Sequence, residues 1–250
     1  MSKIITQEQV EGHLGGITPY IDALGAQGTS QYTESIAEAE ADFQRRTRVL
    51  LTLKTIRMDP VAGATYDLLE DPYPLHRAMS SRPIRVVLRH RPIVEILDFR
   101  LAFNITTEIL TFPSSWIRTN KRLGIATIIP FGAAAPAMAA AGASMWLPVL
   151  GRGAWPGDVM PQLIHIDYTA GYEDAATNDA LADVRHYVAT DAAARVLQAC
   201  RRAIPDSIQL DGFTQTFTPV QQILEDLRKE SKEYLQRFEG RERPLVVGIL

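Results

Sequence analysis

The sequence is poor in the residues that most chemistry needs. It holds one cysteine, Cys200, among 250 residues, which excludes an internal disulfide framework and any cysteine-based zinc cage. Cys200 falls late on an amphipathic stretch beside Arg201 and Arg202, with no histidine near it in sequence, which is the setting of a buried structural thiol rather than a nucleophile. No apolar run is long and clean enough to cross a bilayer, and the opening MSKIITQEQVEGHLGG has no basic segment leading into an apolar core. These absences predict a chain made and folded in a cytoplasm, without a membrane partner. Positive charge is not in excess either. A formal net charge of -3 and a pI near 6.0 argue against a protein whose main task is gripping nucleic acid.

The five histidines, at positions 13, 76, 90, 165 and 186, form no HExxH motif and no i, i+4 pair. No serine lies in a GxSxG elbow, and there is no DxDxDG calcium loop. GRGAWPG (151–157) has the wrong spacing for a phosphate loop and no following helix to receive an anion. These gaps predict no catalytic residue, no bound cofactor and no metal site, hence no enzyme. One pair stays open: His165 and Asp167 lie two apart on a predicted strand and so share a face. They are either an acid/base or metal pair or, the better-supported reading, simply a polar strand face.

What the sequence does contain is an ordinary globular composition, 46% hydrophobic and 22% charged. Residues 1–29 carry several glycines and no sustained period, which predicts an extended N-terminal arm. A helix is expected from about 30–33 to about 57, with Ile36, Ala39, Phe43, Leu50 and Leu53 on one face and Asp59-Pro60 as its stop; turns including DPYPLHR carry this segment to 77. From 78 to 173 the texture is β, with IRVVLRH, VEILDFRLAF, TTEILTF, GIATIIP and QLIHIDY reading as short antiparallel strands without intervening helices. That excludes a doubly wound nucleotide-binding sheet. A Gly/Ala/Pro-rich loop, 131–161, interrupts the β region. Residues 174–240 predict a helix over about 178–202, a hairpin turning at Asp211-Gly212, and a last helix opened by the capping box Thr218-Pro219-Val220-Gln221 and bearing alternating charges that suit a solvated face or a seam between copies. The fold class is therefore α+β: a bundle of long helices, an inserted antiparallel β region, and extended N- and C-terminal arms.

Two apolar features suit contact with other proteins. The final segment, 241–250, ends in RPLVVGIL, a strand-like run on which Pro244, Leu245, Val246, Val247, Ile249 and Leu250 are the candidate partner-binding residues, by strand addition to a partner's sheet edge. The alternative is packing on the chain's own β region. In the 131–161 loop, Met145, Trp146, Leu147 and Trp155, with Met138, form a second partner patch if the loop projects, or fold back on the β region if it does not.

The order of parts resembles the head–tail connector, or adaptor, proteins of tailed bacteriophages. The resemblance runs over about 30–250 and rests on RPIRVVLRHRPI, on IHIDYTAGYE before a helix, and on SIQLDGFTQTFT before ILEDLRKESKEYLQRF. It implies a helical bundle with a β insertion, assembled in the host cytoplasm as a ring, commonly of twelve copies. In the virion such a ring sits in the neck, on the portal at the capsid vertex. Its implied partners are other copies of itself, the portal protein and the next neck or tail protein, with DNA only as transient cargo in the channel. The C-terminal segment would then reach the portal. Other roles in the same setting are a stopper or a tail terminator; an enzyme using His165 and Asp167 is the more distant alternative.

Overall fold

The computed structural model describes residues 4–60, 65–74, 84–104, 107–129, 162–201, 204, 207–210, 213–216 and 220–242. The chain is mixed α+β and divides into two units. One is built from Met1–Thr52 and Glu173–Leu250, and the other from Leu53–Tyr172.

The first unit is helical. Helix α1 (Gln7–Leu14) starts where the Thr6 N–H donates to Gln9 Oε1 at 2.9 Å, and α2 (Thr18–Asp22) has its proline in the first turn, where a missing N–H is harmless. Ile4, Ile5, Val10, Leu14, Ile17 and Ile21 are all buried, so this region is folded helix rather than the expected extended arm. Of the glycines that suggested an arm, Gly12 and Gly28 lie within helices, and Gly15 and Gly25 take positive φ at the breaks between them.

Helix α3 (Ala26–Thr47) starts and stops earlier than the sequence predicts. It ends because Arg48 turns left-handed (φ 60) and sends its N–H back to Gln44 O at 2.8 Å, a stop that needs no proline and no glycine. Leu50 and Leu53, in helical phase by spacing, therefore lie beyond the helix; Leu50 is buried and Leu53 is 40% exposed. Helix α4 (Ala182–Cys200), whose Ala- and Val-rich surface is buried nearly all round, packs against α1, α3 and the last helix, α5 (Val220–Glu242). Phe43 of α3 joins the three long helices, its ring 5.6 Å from that of Tyr187 and 5.3 Å from that of Phe238. Between α4 and α5 the last two strands, β10 (Ser207–Leu210) and β11 (Phe213–Thr216), pair with Leu210 opposite Phe213, as a two-residue Asp-Gly turn requires.

The second unit is β. Its larger sheet has the order β2-β1-β9-β5-β6, from β1 (Lys54–Arg57), β2 (Leu68–Leu69), β5 (Ile93–Asn104), β6 (Thr107–Thr111) and β9 (Gln162–Ala170); β3 (Tyr73–Pro74) also pairs with β9. All these pairings are antiparallel except β1 with β2, a parallel pair that the strand pattern does not predict. A second sheet has the order β4-β8-β7, from β4 (Ile84–Val87), β7 (Ile117–Asn120) and β8 (Ile125–Ile128). Strands β1, β2, β3 and β7 are additions to those expected, too short or too polar to show an alternating pattern.

On the larger sheet, Ile56, Phe99, Ile164, Ile166 and Tyr168 lie on one face, with Phe112 edge-on to Phe99 at 5.3 Å. The opposite face carries Arg57, Asp98, Arg100, His165 and Asp167 in register.

Candidate functional site

Two of the charged groups on that second face, Arg100 and His165, converge on Asp59, just past the end of β1. Asp59 Oδ2 accepts from Arg100 Nη2 at 2.6 Å and from His165 Nδ1 at 2.8 Å. Arg100 Nη1 also pairs with Asp98 at 2.9 Å. Asp167 Oδ1 takes the Met58 N–H at 3.0 Å, and its Oδ2 lies 3.7 Å from Arg57 Nη1. Met58 is fixed at its other end as well, its sulfur accepting the Ile166 N–H at 3.2 Å. Asp59, His165 and Asp167 are each 4% exposed.

The polar strand face expected of His165 and Asp167 is thus a buried ionic layer, not a solvated surface. The two residues share a face as predicted, yet they do not bond each other: each is engaged by a different partner near the end of β1. Burial pushes the Asp167 carboxyl above its ordinary value, only partly offset by the Met58 N–H and the guanidinium groups of Arg100 and Arg57. Burial also works against the charge of Arg100, but Asp59, Asp98 and Asp167 outweigh it and hold that guanidinium above its ordinary value.

An Asp–His pair at 2.8 Å can orient a general base. Here the other ring nitrogen, His165 Nε2, is buried and has no hydrogen-bond partner among the described residues, so none of them completes the arrangement as a nucleophile. Among those residues no group of three His, Cys, Asp or Glu side chains is placed to hold a metal ion. What the layer can do is fix register. Slipping β9 by one residue would drive His165 and Asp167 into the apolar face and turn Ile166 and Tyr168 toward the arginines.

A second cluster lies in the same unit. Glu70 receives His90 Nε2 at 2.6 Å and Arg89 Nη1 at 3.3 Å, and Arg89 also lies over the Tyr73 ring, 4.7 Å from its centroid. Burial would raise the Glu70 carboxyl, but His90 and Arg89 outweigh it and keep the group below its ordinary value. This cluster ties the residues after β2 to the segment after β4.

In the helical unit the ionic contacts are peripheral. Arg195 reaches Asp191 at 2.8 Å and Glu38 at 3.1 Å, linking α4 to α3. Helix α5 turns Val220, Leu224, Leu227 and Phe238 inward and exposes Glu225, Asp226, Arg228, Lys229, Lys232, Glu233 and Arg237. Cys200 is buried, and burial raises its thiol, as expected of a structural cysteine.

The tail residues Pro244, Leu245, Val246, Val247, Ile249 and Leu250, and the loop residues Met138, Met145, Trp146, Leu147 and Trp155, lie outside the described residues. Sequence reasoning missed Asp59, taken only as a helix stop, and Arg57, taken as the end of a helix. The available signal was Asp98 and Arg100 within the apolar VEILDFRLAF, because charges at alternate positions of an otherwise apolar strand demand partners. No helix among the described residues is long and apolar enough to cross a membrane.

No family model matches the chain, and no curated protein does. Solved structures do match. The chain is similar to one in the virion of a native gene transfer agent (GTA) particle, at 15% identity and TM-score 0.34, over 85% of this chain and 88% of that one. It is similar to a chain in the neck of an empty GTA particle computed with C6 symmetry, at 14% identity and TM-score 0.36, over 85% and 88%. A third match is in the neck of a native GTA particle computed with C12 symmetry, at 13% identity and TM-score 0.35, over 84% and 86%. At these scores the likeness carries no argument about residues or partners.

Proposed function

We propose that the protein is a structural, non-enzymatic component of the neck of a phage-like particle, a connector forming a ring between the portal and the tail through which DNA passes. One observation carries this reading. The segment IHIDYTAGYE, one of those on which the sequence resemblance rests, falls where the chain leaves the β unit: β9 ends at Ala170, Gly171 takes a positive φ of 116, the β unit closes at Tyr172 and the helical unit resumes at Glu173. A β unit inserted between two parts of a helical unit is the order of parts the resemblance implies. The buried ionic layer supports the same reading, since it spends the best-placed histidine and carboxylates on holding strands together.

In this reading the copies, commonly twelve, meet through heterologous contacts. The tail residues Pro244 to Leu250 add a strand to the portal, and many such tails on a matching ring act together. The apolar residues at 145–147 and Trp155 are a second partner surface. Negative-stain imaging of the purified protein with and without portal tests this: a ring docked on the portal supports the connector, and binding only to tail components shows a stopper or terminator instead. Deleting 244–250 should abolish portal attachment and leave the chain folded; an unfolded deletion variant overturns the docking role of the tail.

A further inference from the structure

The net charge of -3 conceals two stretches of chain of opposite sign. The β unit holds 12 Lys and Arg against 9 Asp and Glu, and the helical unit 14 against 20. The segregation is sharper within each. Residues 84–92 and 117–129, which form the three-stranded sheet and its turns, contain six Lys or Arg and no Asp or Glu. Residues 4–44, which form α1, α2 and most of α3, contain seven Asp or Glu and no Lys or Arg.

Register shows how the basic charges are displayed. Arg85 of β4 and Arg118 of β7 both stand opposite Thr127 of β8, on the same face and about 10 Å apart across the central strand. Both are exposed, as are Lys121 and Arg122 in the following turn, while Val86, Ala126 and Ile128 fill the other face. Arg89 of this region is engaged by Glu70, and Arg91, Arg118 and Arg122 also take part in contacts within the chain. On the helical side Glu8, Asp22 and Glu34 are exposed, as is Glu38, which Arg195 engages within the unit.

We propose that the basic face of the three-stranded sheet docks on the acidic α1–α3 surface of a second copy of this chain. Two different surfaces of opposite sign make a head-to-tail contact, the kind that closes into a ring. The inference deepens the connector reading and rests on it for ring closure. The occupant is a second copy rather than DNA because the complementary acidic surface is present in every copy, and the helical unit's excess of carboxylates repels phosphate.

The test is sedimentation of the full chain at about 0.1 M and about 1 M salt, where the screening length falls from about 10 Å to about 3 Å. Wild type should associate at the lower salt and dissociate at the higher. Arg85→Glu with Arg118→Glu should weaken association on the order of tenfold, and so should Glu8→Lys with Glu34→Lys. Mixing the two reversed variants should restore it, because each then offers the surface the other lacks. Circular dichroism checks folding, and Arg85→Gln with Arg118→Gln replaces the reversal if that variant does not fold.

Association unchanged by the reversals, no recovery on mixing, or a wild type that stays monomeric at about 0.1 M salt each overturns the inference. So does a gel shift of duplex DNA by the wild type that the arginine reversal abolishes without affecting self-association. A ring that still forms on the portal with both reversals in place sinks this contact and leaves the connector standing. Failure of the wild type to form a ring on the portal sinks the connector itself.

Discussion

In the helical unit the buried threonines are served locally, whereas in the β unit the buried charges are served from far along the chain. Thr190 returns its hydroxyl to His186 O at 2.7 Å, and Thr47 to Phe43 O at 2.8 Å, each within one turn of its own helix. The ion pairs of that unit stay near solvent, Arg195 being 33% and Glu38 67% exposed. In the β unit Asp59 meets His165 across 106 positions of sequence and Arg100 across 41, and both Asp59 and His165 are almost fully buried. The helical unit can therefore lose a charge cheaply but not core volume, while the β unit depends on particular charges.

The largest effects should come from attacking each unit at its centre. Asp59→Ala leaves Arg100 and His165 without their shared acceptor and should cost about 3–5 kcal/mol, read by urea unfolding. Phe43→Ala empties the junction of three helices and should cost about the same, about 3–5 kcal/mol. The contrast sharpens with milder changes: Phe43→Leu should restore most of the loss, whereas Asp59→Asn should restore little, because it returns shape without charge. If Asp59→Asn melts like the wild type, the ionic layer is dispensable and the contrast fails.

A smaller cost, about 1–3 kcal/mol, is expected for Gly28→Ala, whose new Cβ would lie 2.4 Å from the backbone oxygen of Ile21 and force α2 and α3 apart. A thermal melt with no change would mean that the short helix α2 yields freely.

The smallest effects are those of pH. The Glu70 carboxyl is held below its ordinary value in the fold, so its contribution is present above the unfolded value near 4.5 and is lost as pH falls through the folded value. Asp167 has the opposite sign. Raised above 3.8 by burial, it favours the folded state most when protonated, and that advantage is lost as pH rises through its folded value. Glu70→Gln should thus flatten the loss of stability in acid, and Asp167→Asn should steepen it. Denaturation curves across the acid range measure both, and identical slopes for the two variants would contradict the assignments.

The sequence-based reading was best where local pattern decides. The three long helices, strands β4, β5, β6, β8 and β9, and the close-turned β10–β11 pair follow from spacing and Asp-Gly chemistry. It failed where a tertiary partner decides. Nothing in the sequence around Arg48 marks a helix end, since the left-handed residue there is an arginine, and the apolar Leu50 and Leu53 continue the helical phase. The glycines among residues 1–29 suggested a loose arm because the buried isoleucines, Ile4, Ile5, Ile17 and Ile21, are too scattered to show a period across three short turns of structure. At the candidate site, His165 and Asp167 were found by their spacing, but their true partners lie more than a hundred residues earlier, beyond any local pattern.

The place of β9 also bears on how the chain comes to be folded during synthesis. It is the last strand of the β unit to be made, yet it lies in the middle of the larger sheet, paired with both β1 and β5. Strand β1 therefore has no antiparallel neighbour until the ribosome has passed the whole 131–161 stretch, and α3 has to wait longer still for α4. The closing entropy of so long a connection grows only slowly, by about 0.6 kcal/mol for each doubling of length. Its cost is time: the β unit stays unfinished with apolar surface exposed until synthesis passes residue 170, and the helical unit until α4 and α5 have been made, so premature termination before β9 yields a chain in which neither unit can close.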